Sequence, residues 1–126
     1  MYKCIKECDF IDSLGHINYV TRYAKYQDTE LYYNDFKEII DEILKIIAQR
    51  EKAVEINTRR LENKIAALNM LDILKRFKEL GGKYVTVGSD AHNIDSIGAN
   101  FDIAIDLANR ADLSVVYFKN RQPNYV

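Results

Sequence analysis

An α/β fold of parallel strands alternating with helices is what this sequence predicts, on three observations. Short runs rich in β-branched and aromatic residues recur along the chain, as at 53–57, 84–87 and 114–118. Between them lie longer stretches whose apolar residues repeat at helical spacing. The two kinds follow in the order strand, helix, strand, helix, strand, helix, strand, the signature of βαβ units around a parallel sheet. The 126 residues make one domain, 1–126, and are too few for a closed eightfold barrel of roughly 250. The sheet is therefore either small and open or part of a barrel.

Each element has its own warrant. Tyr2 to Cys8 can be helical. Phe10 to Gly15 is a short apolar run ending in glycine and predicts the first strand. Residues 19–33 show no periodicity and carry Tyr19, Tyr23, Tyr26, Tyr32 and Tyr33; a loop of that length is often functional. Asn34 is placed to cap the next helix. There Phe36, Ile39, Ile40, Ile43, Leu44, Ile46 and Ile47 form one stripe, opposite Lys37, Glu38, Asp41, Glu42 and Lys45. Ala53 to Asn57 is the second strand. Met70, Ile73, Leu74 and Phe77 mark a second amphipathic helix, which Gly81-Gly82 stops. Tyr84 to Val87, closed by Gly88, is the third strand. Phe101, Ala104, Ile105 and Ala108 begin a third helix, Ser114 to Phe118 is the fourth strand, and Pro123, the one proline, falls in the tail.

Composition narrows the function. A net charge of −1 recruits neither nucleic acid nor an anionic membrane. No run approaches the ~20 apolar residues of a membrane span, and the N-terminus does not read as a signal peptide, so a cytoplasmic chain is expected. Cys4 and Cys8, the only cysteines, then read as reduced thiols.

Chemistry concentrates after the strands. Asp90 and His92 sit two residues apart just past the third strand, a spacing that aims both side chains the same way in extended backbone. His16 directly follows the glycine that ends the first strand. In α/β folds the C-terminal ends of strands carry the chemistry. A carboxylate and imidazoles gathered there can ligate a metal ion or act as an acid–base pair; packed or surface histidines are the plain alternative. Glu55 and Asn57 share one face of the second strand. A carboxylate in an apolar strand needs a cation, a metal or solvent, or simply pairs with a lysine. Arg22 and the pair Arg59-Arg60 also follow strands. Guanidinium groups bind phosphate bidentately, although solvated surface arginines would have the same spacing.

Five segments together resemble a known family. Leu14-Gly-His-Ile-Asn-Tyr-Val-Thr-Arg-Tyr23, Val54-Glu-Ile-Asn-Thr58, Lys78-Glu-Leu-Gly-Gly82, Val87-Gly-Ser-Asp-Ala-His92 and Tyr117-Phe-Lys-Asn-Arg121 are similar, in order and spacing, to the histidinol-phosphatases of the polymerase-and-histidinol-phosphatase (PHP) superfamily. The resemblance implies a distorted (β/α)7 barrel with two or three divalent metal ions at its C-terminal rim, zinc, manganese and iron being indistinguishable from the residues. It implies ligand and catalytic roles for His16, Asp90 and His92, and phosphate binding by Arg22 and by Arg59 or Arg60. The implied substrate is a small-molecule phosphate ester, L-histidinol phosphate, hydrolysed in histidine biosynthesis. Rivals are a catalytically inactive fragment or interaction module, and a phosphoesterase of the same superfamily with another substrate.

Two departures qualify the match. Asn18 stands where an aspartate is usual. The His-x-His segment and further histidine and glutamate ligands that open such enzymes are not found ahead of His16, so the chain reads as a C-terminal half-barrel. Three candidate ligands fall short of the four to six donors each ion takes. Half a barrel leaves edges near Ile11–Leu14 and Val115–Phe118, and turns the Val85–Val87 strand toward water. Self-association, or a missing N-terminal half as partner, is the expectation.

Overall fold

Alternation along the strands builds the sheet. The structure, a computed structural model, describes residues 1–23 and 25–126. In chain order the helices are α1 (Tyr2–Glu7), α2 (Lys37–Gln49), α3 (Lys64–Glu79) and α4 (Phe101–Arg110). The strands are β1 (Ser13–Leu14), β2 (Ala53–Asn57), β3 (Tyr84–Gly88), β4 (Ser114–Lys119) and β5 (Gln122–Tyr125). They lie side by side in sequence order; β1 to β4 are parallel, and β5 runs antiparallel to β4. Sequential order is that of a singly wound barrel wall, with α2 against α3 and α3 against α4.

Register puts Leu14, Val54, Val85 and Val115 in one row across the four parallel strands, with Ile56 and Val87 in the next. This face packs on Ile40, Leu44 and Ile47 of α2, Met70, Leu74 and Phe77 of α3, and Ala104 and Leu107 of α4. Phe77, Leu44, Ile47, Val54, Ile56 and Val85 are fully buried, each stabilising the fold by roughly 1.5–3 kcal/mol. Within the Val85–Val87 strand, Val85 meets the helices, and Thr86, on the opposite face, is partly exposed. The opposite face carries Ser13, Ala53, Tyr84 and Ser114, then Glu55 and Thr86, then Asn57 and Gly88. It is polar, and the Ser13 and Thr86 hydroxyls bond across it at 2.7 Å.

Several boundaries differ from expectation. Only Ser13 and Leu14 of the Phe10–Gly15 run join the ladder; Phe10 is exposed, and Ile11 packs on the core from outside the sheet. Asn34 does not cap α2, because a 3-10 turn over Tyr33–Phe36 intervenes and Phe36 precedes the helix. The cap that forms is Asn63, whose side chain accepts from the Ile65 and Ala66 N–H groups and starts α3 about two turns ahead of Met70. Gly81 does stop α3: it takes φ +94, and the Gly82 N–H returns to the Phe77 carbonyl. Pro123 is not in a loose tail but in β5, opposite Phe118. Asn120 and Arg121 both have positive φ (51° and 63°) and join β4 to β5 as a two-residue hairpin. The expected edge at Val115–Phe118 is thus covered beyond Val115, and the outer strand holds a proline that cannot donate to a further ladder.

Away from the sheet's polar face, a charged network ties the helices. Arg76 of α3 donates to both carboxylate oxygens of Asp41 on α2, at 2.9 and 2.7 Å, and the Tyr33 hydroxyl donates to the same group. The Arg76 guanidinium holds the Asp41 carboxyl down at about 2.

Candidate functional site

Parallel strands bring three sequence-distant loops to one rim. His16 comes two residues after β1, Arg59 and Arg60 two and three residues after β2, and Asp90 and His92 two and four residues after β3. Because β1, β2 and β3 point the same way, all these loops leave from the C-terminal edge. The Thr58 N–H donates to the Gly88 carbonyl at 2.9 Å, and the Thr58 hydroxyl to the Ala99 carbonyl at 2.5 Å, so the β2 and β3 loops are stitched together.

His16, Asn57, Arg59, Arg60 and Asp90 line a cavity of about 200 Å³, together with Asn18, Tyr19 and Thr21. The Asn57 amide nitrogen stands 3.1 Å from His16 Nδ1, and the Tyr19 ring meets the imidazole edge-on at 5.6 Å. The His16 N–H donates to Glu55 Oε2 at 3.1 Å. Among the described residues no lysine pairs with Glu55; its carboxylate lies against Gly15 and Gly88 at the ends of β1 and β3.

The remaining candidates sort into paired groups. Arg59 Nη1 donates to Asp90 Oδ2 at 3.3 Å and lies 3.1 Å from His92 Nδ1. His92 also reaches the Asp90 carbonyl at 2.8 Å, but its side chain is 60% exposed and stands at the rim, outside the cavity lining. Arg60 donates to the Thr21 hydroxyl at 2.6 Å and to the Glu30 carboxylate. The side chain of Arg22 lies outside the described residues. His16, Asp90, Arg59 and Arg60 are therefore brought together, and His92 borders them.

Thr21 and Glu30 were not singled out from the sequence. Both lie in the aperiodic 19–33 segment, and only their tertiary contact with Arg60 reveals them. Asn18 departs from the aspartate expected of the family, and its carbonyl accepts from the Thr21 hydroxyl at 2.8 Å.

As a metal centre, the donor chemistry fits and the set is short. Imidazole and carboxylate are the ligand types of zinc and similar divalent ions. Among the described residues, however, no three His, Cys, Asp or Glu side chains are grouped to hold one ion, and the Arg59 guanidinium provides the positive charge between Asp90 and His92. No helix is long and apolar enough to cross a membrane among the described residues.

Known proteins similar to this chain share one description. No family model matches the chain. It is 49% identical over 125 residues to the probable histidinol-phosphatase of Clostridium acetobutylicum, covering 99% of this chain and 49% of that protein. It is 43% identical over 81 residues to the histidinol-phosphatase of Lactococcus lactis subsp. lactis, covering 64% of this chain and 30% of that protein. Among solved structures, the histidinol phosphate phosphatase of Lactococcus lactis, complexed with zinc, L-histidinol and phosphate, superposes with a TM-score of 0.85 at 30% identity. That match covers 98% of this chain and 47% of the solved one. The chain spans about half the length of the relatives it matches. In sequence and in fold alike, it is homologous to the histidinol-phosphatases and has the α/β, partial-barrel architecture of about half of one.

Proposed function

We propose that this chain forms part of a metal-dependent phosphomonoesterase of the histidinol-phosphatase type. The reaction is L-histidinol phosphate plus water giving L-histidinol and inorganic phosphate, in histidine biosynthesis and in the cytoplasm. One observation carries the reading: His16, Asp90, Arg59 and Arg60 open onto a single cavity at the C-terminal rim of parallel strands. The relative solved with zinc, L-histidinol and phosphate supports it.

His16 and Asp90, with His92 at the rim, hold part of a divalent ion's shell, whichever of zinc, manganese or iron is used. When bound, such an ion lowers the pKa of a water and neutralises phosphate charge. The remaining donors come from a segment equivalent to the other half of the relatives, on this chain or a second one. Arg59 and Arg60, with Arg22 as the third candidate, grip the phosphate oxygens with planar donor forks. To do so Arg59 exchanges Asp90 and His92 for substrate, and Arg60 exchanges Glu30. The Arg59 swap costs little, because its side chain is 43% exposed and such pairs are worth at most about 1 kcal/mol. The attacking oxygen bonds to phosphorus as the ester P–O bond opposite it breaks, and the departing alcohol oxygen takes up a proton.

A catalytically inactive interaction module is the second reading, favoured by both arginines already having carboxylate partners. Phosphate release from L-histidinol phosphate, with manganese, zinc or iron, separates the two. The 126 residues alone are expected to turn over poorly. Mixed with the half of the Clostridium relative that they do not match, they should reach an ordinary rate, on the order of 1–100 per second. Arg59→Ala or Arg60→Ala should then lower that rate about 10²-fold. A metal-loaded mixture that stays inert favours the module, and a panel of phosphate esters fixes the substrate. Sedimentation over a concentration series should show the 126 residues self-associating through the exposed rim and β1 edge; a monomer at every concentration would remove that part of the proposal.

A further inference from the structure

We propose that Glu55 is the positioning residue of this site: its carboxylate, wedged between Gly15 and Gly88, sets the backbone of His16 and thereby aims the imidazole at the cavity. The inference rests on the reading of His16 as a working residue of the phosphoesterase site.

Glu55 is the central residue of β2, on the sheet face turned away from the helices. A carboxylate half-buried in a sheet needs donors, and here one is the N–H of His16 at 3.1 Å. His16 has φ 56, a left-handed conformation that a non-glycine residue keeps only when its surroundings impose it. The hydrogen bond from its N–H to Glu55 is one such constraint on the backbone; the contact between Asn57 and Nδ1 is a second, on the ring.

The neighbouring strands leave Glu55 one place to sit. A Cβ added at Gly15 would lie 2.7 Å from Oε2, and one at Gly88 would overlap Oε1, closer than carbon and oxygen approach without bonding. Neither glycine has its φ in the left-handed region, so conformational freedom does not explain them; room for the carboxylate does. A side chain at either position would push Glu55 aside and free the His16 peptide. Glu55 is outside the cavity lining, so its influence runs through His16.

The test uses the ¹⁵N-labelled 126-residue chain with zinc chloride as the probe. Glu55→Ala should raise the exchange rate of the His16 amide about tenfold or more, the worth of one hydrogen bond to a charged group, while the amides of Val54 and Val85 keep theirs. It should also weaken the zinc-induced change in the His16 ring signals by a similar factor. Glu55→Gln, whose amide oxygen can still accept, should restore most of the protection; Glu55→Met, equally long but without an acceptor, should not. Gly88→Ala should reproduce the Glu55→Ala effect at His16 and add nothing on top of it. Unchanged His16 exchange in Glu55→Ala, equal behaviour of the Gln and Met variants, or additive effects with Gly88→Ala would overturn the assignment. Where Glu55→Ala does not fold, the Gln and Met pair decides alone. A parent chain whose His16 ring ignores zinc counts against the metal reading, and the amide comparison still decides on Glu55.

Discussion

The two faces of one sheet differ in what each residue is for. On the helix side Leu14, Val54, Ile56 and Val85 are at most 6% exposed and interlock with α2, α3 and α4. On the other side Ser13, Glu55, Asn57 and Thr86 hydrogen-bond across strands and lead up to the rim cavity. Side chains one position apart thus serve stability or chemistry according to parity. Substitutions on the helix side should show in unfolding, and those at the rim in binding.

The largest expected break is Phe77→Ala. Phe77 is fully buried on α3, and the loss of its ring should cost about 3–5 kcal/mol, read from the denaturant midpoint. Next comes the Asp41–Arg76 pair. Asp41→Asn should cost about 1.5–3 kcal/mol, because Arg76 then loses the better buried of its two carboxylate acceptors, Glu79 being the other. Its pH signature is distinctive. The Asp41 carboxyl titrates near 2 in the fold against an ordinary 3.8, so its contribution is complete above pH 4 and fades as pH falls from 4 toward 2. Stability curves of the parent and of Asp41→Asn should converge in that window; parallel curves would show that Arg76 does not set the titration. The smallest effect on stability should be at the rim. Arg59→Ala should change stability by less than about 0.5 kcal/mol, while weakening inorganic phosphate binding about tenfold by calorimetry. A large unfolding effect from Arg59→Ala would erase the division between the two faces.

Parity also explains what could be read from the chain alone. β2 and β3 were legible because β-branched runs ended by Asn57-Thr58 and by Gly88 have few other uses. The rim residues His16, Arg59, Arg60 and Asp90 were legible by position, since each follows a strand closely. β1 was overextended because Phe10 and Ile11 are as apolar as strand residues, although neither joins the ladder. β5 was missed because Asn120-Arg121 lacks the glycine that usually marks such a turn, and Pro123 argues against a strand. Glu30 and Thr21 carry no local signal: their role exists only because Arg60 reaches them across 30 and 39 residues.

The unequal ladders have a consequence for how the chain folds. β4 and β5 are joined by two residues and share four register pairs, so this hairpin can close in about 1–10 μs without any crossover. β2 and β3 need a helical crossover but then gain five pairs. β1 has the longest crossover and gains two pairs. The extra length itself costs little, less than the roughly 0.6 kcal/mol of a doubled loop. β4 also gains only two pairs with β3, but it docks with β5 already paired to it and with α4 packed on it, whereas β1 has β2 as its one neighbouring strand. β1 is therefore the last strand to dock and the first to leave, and the histidine that follows it arrives at the rim only when the rest of the sheet is already built.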